Sequence, residues 1–307
     1  MKNFFKNFVE YIFFVFFIFF IRIMPLYIMR RVVVFLSFIL FKVFGVRKKT
    51  ALDNLYYAFP EKTEQERKRI AYKSFKNFFL TIMELMWIPN LSQKRLLKMI
   101  KVENKEELDK FMLQQKGKII LTAHFGNWEY LAQYLAIEYK VNYPAIVKRM
   151  RNIFVDNYVN KCRNRFNYIH ILYMDKNVKE VFKALLSNKP LILLADQSAP
   201  QESIYIKFFN RYATTFQGPA VFSLRCHVPI RFILAVRERD FSYKIVHQEI
   251  PVSDISDASD SSIYELSRRH VELLEKYIRE YPEQWLWSHR RWKHSDKYEI
   301  FGKKNGI

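Results

Sequence analysis

The run Lys118-Ile-Ile-Leu-Thr-Ala123, continuing without a spacer into His124-Phe-Gly-Asn-Trp-Glu129, decides the reading of the fold. Lys118–Ala123 is almost unbroken apolar sequence, bounded by Gly117 and by Gly126, as expected of a short strand covered on both faces. Gly126 permits a sharp strand-to-helix turn, and Asn127 is a good N-cap for a helix beginning at Trp128. Trp128, Leu131, Ala132, Leu135 and Ala136 recur at i, i+3, i+4, i+7 and i+8, one apolar stripe of that helix.

The same texture repeats outward. Strands are expected over Asn142–Val147, Tyr168–Leu172 and Pro190–Ala195, and a strand pair over Val228–Val236 and Tyr243–Ile250. Helices are expected over Glu64–Trp87, Glu103–Gln115, Phe154–Phe166, Asn177–Leu186 and Gly218–Cys226. A last helix runs to about Tyr281, opened by a Ser262/Glu265 capping box. Alternating strands and helices predict an α/β fold: a mixed, mostly parallel sheet flanked by helices.

Twenty-nine Phe are spread unevenly over 307 residues, with a dense block before position 45. Tyr11–Ile21 is too short alone to cross a hydrocarbon layer of about 30 Å; extended to Met29 it is long enough, but then contains Arg22 and Pro25. The segment reads as a kinked spanning helix with Arg22 snorkelling, or as two helices lying in one leaflet. No small-x-small cleavage site follows Ile21. Residues 1–44 are therefore an N-terminal membrane anchor, 45–295 the main domain, and 296–307 a loose polar tail. Few cations precede the apolar run and many follow it, which puts the main domain on the cytoplasmic side.

Fifty-one Lys and Arg against 30 Asp and Glu give a formal charge of +21, suited to anionic membranes, phosphorylated lipids or an acidic protein. No zinc-finger, RNP or helix-turn-helix pattern accompanies the charge, so nucleic acid is not expected. Cys162 and Cys226 stand far apart without metal-ligand neighbours and read as structural. Six Gly form no G-x-S-x-G, G-x-G-x-x-G or Walker A loop, and His-Glu-x-x-His is absent. These absences remove the usual serine hydrolase, dinucleotide, P-loop and zinc-protease readings.

His124 stands at the carboxyl end of a buried strand, where open α/β sheets place ligands. Glu129 falls in the first helical turn and is expected to converge on His124 across the turn, fixing the imidazole as a general base. The free N–H groups of the helix start can stabilise an oxyanion or hold a phosphate. A structural His beside a structural Glu remains the alternative at this level.

His124-Phe-Gly-Asn-Trp-Glu129 resembles the H-x-x-x-x-D/E signature of the bacterial lipid A biosynthesis acyltransferases, relatives of the glycerophosphate acyltransferases. Further blocks resemble that family in the same order. They are Asn54-Leu55 with Ala58-Phe59-Pro60 and Glu84; Ala195-Asp196-Gln197; Phe208-Phe209 with Ala213-Thr214-Thr215 and Gly218-Pro219-Ala220; and Pro282–Trp287 through His289–Lys293. Asn210 departs from the family by replacing the Gly after Phe-Phe, and Ser198-Ala199-Pro200 replaces an acidic-aromatic stretch.

The resemblance implies a glycerophosphate acyltransferase-like fold and acyl transfer from acyl carrier protein to a hydroxyl of a lipid A precursor, a phosphorylated, acylated glucosamine disaccharide. It implies no metal and no redox cofactor. His124 and Glu129 are the expected catalytic pair. Gly126, Asn127, Lys148, Arg163, Arg165, Asp196, Gln197, Arg290 and Arg291 are the expected substrate-binding set. Of the family's Arg-x-Arg, Arg165 is favoured over Arg163 for a phosphate, because helical spacing points the two apart. Asp196 reads as a functional carboxylate or as a cap. Arg290 and Arg291 meet lipid phosphates or coat a membrane-facing surface. Trp285, Trp287 and Trp292 line an acyl groove, anchor at the interface or pack a core. Acylation of another glycolipid from acyl-CoA, and non-catalytic lipid binding, are the rival functions.

Overall fold

A computed structural model describes residues 2–173 and 178–302. The chain opens with two helices, α1 (Lys2–Ile23) and α2 (Leu26–Phe38), broken at Pro25 and followed by a π-helical turn over Ile39–Val43. Next come α3 (Lys48–Ala58), α4 (Glu64–Trp87), α5 (Gln93–Lys98), β1 (Ile100–Val102) and α6 (Lys105–Met112). The central alternation is β2 (Lys118–Thr122), α7 (Trp128–Glu138), β3 (Tyr143–Val147), α8 (Ile153–Arg163), β4 (Ile169–Tyr173), α9 (Val178–Leu186) and β5 (Pro190–Leu194). A hairpin of β6 (Ile204–Phe208) and β7 (Arg211–Thr215) comes after β5. The chain then forms α10 (Gly218–Cys226), β8 (Ile230–Arg237), β9 (Tyr243–Ile250) and α11 (Asp260–Glu280).

Seven strands form one sheet in the order β1-β9-β8-β2-β5-β3-β4, all adjacent pairs parallel except β8–β9. This is the mixed, mostly parallel α/β sheet that the alternation predicts. Each central strand divides its side chains between two cores, as a pleat requires. Ile119 and Leu121 of β2, with Phe232 and Leu234 of β8, meet α9, α10 and α11. Ile120 and Ile233 meet the opposite core, which also holds Ile18, Ile21, Met29 and Val33 of the N-terminal helices. Covering both faces is why β2 shows no polar alternation.

α4 carries a complete capping box at Thr63 and Glu66. The last helix does not open as expected. Its N-cap is Ser259, whose hydroxyl accepts from the Ser262 N–H, while Glu265 pairs with Arg268 and Arg269 one turn further on. The serine run offers several caps, and the one that closes with Asp257 wins. The expected start of α9 at Asn177 lies outside the described residues.

Beyond His294 the chain forms short helical turns through Gly302, and Tyr298 stacks on Tyr212 with ring centroids 3.6 Å apart. Residues 303–307 lie outside the described set. Arg22 does not snorkel. Its Nε donates to the Met86 carbonyl at 2.9 Å, and its guanidinium lies 5.0 Å from the Tyr158 ring centroid.

The β6–β7 hairpin has no alternation strong enough to announce it. Its two-residue turn places Phe209 at φ 48° and Asn210 at φ 62°, both left-handed. Asparagine tolerates that region, so its replacement of the family Gly is accommodated. Phe209 is held there by its ring, packed on Phe59, Phe208 and Trp287, and by its N–H, which donates to Glu275 at 2.7 Å.

Candidate active site

β2 and β5 are parallel neighbours, with Thr122 opposite Leu194. Two residues beyond both strand ends the same register brings His124 opposite Asp196. The His124 Nδ1 lies 2.9 Å from Asp196 Oδ1, and the His124 backbone N–H donates to Oδ2 at 3.0 Å. Trp285 Nε1 donates to Oδ2 at 2.9 Å. Burial alone would raise the Asp196 pKa; the adjacent imidazole and these hydrogen bonds outweigh it and hold the carboxyl below its ordinary value.

An ionised Asp196 fixes the proton on Nδ1 and leaves Nε2 as the basic nitrogen. The imidazole is 24% exposed. Gln197 places its amide nitrogen 3.4 and 3.3 Å from the two ring nitrogens. The Trp128 ring meets the imidazole at 5.0 Å, edge to face.

The turn between His124 and α7 is clamped on every side. Gly126 has φ +55°, and a Cβ there would lie 1.8 Å from the Ala235 carbonyl oxygen. Its N–H donates to the Gln284 carbonyl at 2.9 Å, and the Asn127 N–H donates to Ala235 at 3.0 Å. Asn127 Oδ1 caps the Tyr130 N–H at 2.9 Å. Gly126 and Asn127, expected to meet substrate, are enclosed here and shape the turn.

Behind the turn, fully buried Glu84 accepts from Arg30 Nε at 2.7 Å, Arg237 Nη1 at 2.8 Å, Asn127 Nδ2 at 2.8 Å and Tyr243 OH at 2.7 Å. Arg237 also donates to the Thr81 hydroxyl at 3.0 Å, and Thr81 donates to the Gly126 carbonyl at 2.7 Å. The C-terminal block closes the other side. The Leu286 N–H donates to the His124 carbonyl at 3.0 Å, while Asn54 donates to the Trp287 carbonyl at 2.7 Å.

Asn54, Glu84, Asp196 and the C-terminal block, singled out separately in the sequence, therefore meet around one turn. Comparison with known proteins agrees. The family model for bacterial lipid A biosynthesis acyltransferases matches residues 4–294. The chain belongs to that family. It is 25% identical over 254 residues to the lipid A biosynthesis lauroyltransferase of Escherichia coli K12, covering 80% of this chain and 79% of the relative. It is 23% identical over 257 residues to the palmitoleoyltransferase of the same organism and to a lipid A biosynthesis acyltransferase of Shigella flexneri, each at 80% and 79% coverage. The chain is an acyltransferase enzyme by this relationship.

The other expected site residues stand in different surroundings. Glu129 makes no hydrogen bond to His124 among the described contacts. Its carboxylate receives Arg163 Nη2 at 2.7 Å, Arg163 Nε at 3.2 Å from both oxygens, and Trp128 Nε1 at 3.2 Å. The tight turn aims Glu129 along α7 toward α8, so the imidazole finds its carboxylate on the neighbouring strand.

Arg163 is half-buried against Glu129, whereas Arg165 is exposed with its Nε 3.5 Å from the Pro89 carbonyl. Lys148 is exposed immediately after β3, on the sheet edge that carries His124 and Asp196. Arg290 is exposed. Arg291 is not available to a lipid phosphate: it is fully buried, donating to the Thr214 carbonyl and, at 3.1 Å, to the Thr215 hydroxyl. Burial lowers its pKa to about 10, with Asp196 opposing the fall. The three tryptophans are core: Trp285 and Trp287 meet at 4.7 Å, and Trp292 stacks on Phe208 at 5.4 Å.

One site residue had no role in the sequence reading. His289 Nε2 accepts from the Ser198 N–H at 3.2 Å, and burial pushes its pKa down to about 4 against the pull of Asp196. Its place in the C-terminal block was visible; its neighbours were not.

Proposed function

We propose that this acyltransferase moves a fatty acyl group from an acyl carrier protein thioester to a hydroxyl of a phosphorylated, acylated glucosamine disaccharide, a lipid A precursor. The observation that carries the mechanism is the Asp196–His124 couple at the carboxyl edge of the sheet. His124 Nε2 accepts the proton of the acceptor hydroxyl as its oxygen attacks the thioester carbonyl carbon. The tetrahedral intermediate collapses, the C–S bond breaks, and the imidazolium returns its proton to the departing thiolate. Asp196 supports the transient imidazolium charge. No acyl-enzyme forms, and the reaction draws on no metal or redox cofactor.

Three further features support this reading. An apolar cavity of ≈ 190 Å³ opens beside Ala195, lined among others by Ile146, Leu193, Phe216 and Phe222, and suits part of an acyl chain. Lys148, Arg163, Arg165 and Arg290 supply cations for a phosphorylated acceptor. A formal charge of +21 suits an acidic carrier protein and an anionic leaflet. Glu129 is assigned to positioning: it fixes Arg163 and, through the indole N–H of Trp128, the wall against which the imidazole rests. The catalytic domain is assigned to the cytoplasmic side of the inner membrane, because the cations cluster after the apolar N-terminal run.

His124→Ala tests the assignment, because a general base contributes roughly 10²–10⁴-fold. The variant is expected to lose activity on that scale while retaining its membrane fraction and thermal transition. Activity within a few-fold of the parent would reject the mechanism. Mass spectrometry of lipid A from a strain lacking the chain would report the transferred acyl group directly.

A further inference from the structure

α1 has the length and composition of a spanning helix: Phe4–Ile23 is almost wholly apolar, with mean hydropathy 1.9. Its contacts tell against spanning. One stripe of the helix is docked on the main domain from its first turns to its last. Tyr11 packs on Phe154 of α8 at 5.7 Å and Phe14 on Tyr158 at 5.4 Å, while Phe4 and Phe8 touch Phe154 at 5.4 and 5.8 Å from the rim and stay exposed themselves. Ile18 and Ile21 enter the core, and Arg22 reaches the end of α4. Polar ties lie along the same stripe. Glu10 pairs with Arg151 at 3.1 Å, Asn152 donates to the Asn7 carbonyl at 2.8 Å, and Asn90 donates to the Arg22 carbonyl at 2.6 Å.

A 22-residue helix is about 33 Å long, close to the full hydrocarbon thickness. If α1 crossed the bilayer, α8 lying against it would be carried to hydrocarbon depth. Exposed Arg151, Asn157, Lys161 and Asn164 would go with it. Charged and amide side chains facing lipid at that depth are strongly unfavourable.

The opposite stripe is different. Phe5, Ile12, Phe13, Phe16, Phe19 and Ile23 are each more than half exposed and form a continuous ridge with no polar residue. Lys6 flanks its start, and Arg31, Lys42, Arg47 and Lys49 stand exposed on the segment after it. An apolar ridge accompanied by cations fits the interface of an anionic leaflet.

We propose that α1 lies along the membrane surface, its ridge sunk into one leaflet and its N-terminus on the same side as the catalytic domain. The proposal rests on the membrane-associated reading above and adds the topology: a monotopic anchor built into the core.

The test is sidedness in the full-length protein. Cys226 is replaced by Ser, and Cys162 is left in place because it is buried. Single cysteines are introduced as Lys6→Cys at the start of α1 and Lys110→Cys on α6, both exposed positions. Membrane vesicles of either orientation are treated with a membrane-impermeant maleimide. The expected result is labelling of both cysteines in the same vesicle orientation and protection of both in the other. Labelling of Lys6→Cys only in the opposite orientation from Lys110→Cys, or in neither, overturns the surface topology but leaves membrane association standing. Recovery of the protein in the soluble fraction overturns both.

Discussion

Two buried carboxylates support the same turn, Asp196 in front of it and Glu84 behind, and they do opposite work. Glu84 is saturated. Two guanidinium groups, an amide and a phenol occupy its oxygens, and the arginines hold its pKa down against complete burial. Nothing in that cluster can take up or release a proton at ordinary pH. Asp196 instead has a partly exposed imidazole as its partner, whose second nitrogen meets only the Gln197 amide among the described residues. Burial of a carboxylate is therefore no mark of catalysis. What distinguishes the reactive one is an imidazole partner whose second nitrogen is held only by the half-buried Gln197 amide, on a side chain that solvent still reaches.

The sharpest way to break the comparison is to neutralise each carboxylate in turn. Asp196→Asn keeps the shape but can no longer support the imidazolium. The corresponding loss in a Ser-His-Asp system is about 10⁴ in turnover, and a fall approaching that is expected in kcat, with the thermal transition little changed. Retention of turnover within tenfold would remove Asp196 from the mechanism. Glu84→Ala is expected to act on stability first. It strands Arg30 and Arg237 without their counter-charge, and breaking a buried pair costs about 3–5 kcal/mol. Denaturant titration should show the loss, and a stability equal to the parent would show that the cluster is not holding the fold.

Glu129→Gln comes next in size. A positioning role through Arg163 and Trp128 predicts a loss well below that of Asp196→Asn. A direct role on the imidazole predicts a comparable one. Steady-state kinetics with a phosphorylated acceptor separates the cases: a rise in KM with kcat within tenfold fits loss of Arg163 placement. A collapse of kcat matching Asp196→Asn would restore Glu129 as the orienter of His124.

What the sequence reveals and hides depends on the distance over which each feature is encoded. The strand–turn–helix at Lys118–Glu129 and the capped helix Glu64–Trp87 are local patterns, written in residues within a turn or two of one another, and they stand where expected. The partner of His124 is not local. It lies 72 residues away and depends on the register of β2 against β5, which no spacing within either strand announces. Asp196 was visible as a carboxylate at a strand end, but the nearer Glu129 looked the more natural partner. Arg291 failed for a related reason. Side by side in sequence, Arg290 and Arg291 look alike, and only the folded C-terminal block turns one to solvent and the other under Thr214.

The smallest expected effect concerns acid. Burial holds two histidines near the site below their ordinary pKa of 6.5, His289 to about 4 and His270 to about 3. For a base whose pKa is lower folded than unfolded, the unfolded chain binds the proton first as pH falls. Stability is therefore full above about 6.5 and declines below it, until the folded groups also titrate. The carboxylates act in a different window. Asp196 and Glu84 are held below their ordinary values, so what they contribute is lost only once pH falls below the usual carboxylate range. Loss of stability between pH 6.5 and 4.5 thus belongs to the histidines held low, half-buried His247 on β9 among them, and not to either carboxylate. Each contributes at most about 1.4 kcal/mol per pH unit, the energy of one pKa unit. His289→Asn can still accept from the Ser198 N–H but binds no proton, so it should flatten the decline by up to one proton's worth. Denaturant titrations of parent and variant at pH 7.0, 5.5 and 4.5 measure that slope. Identical slopes would mean that His289 is already accessible to protons in the folded state. The site would then be more open to water on the His289 side than on the Glu84 side.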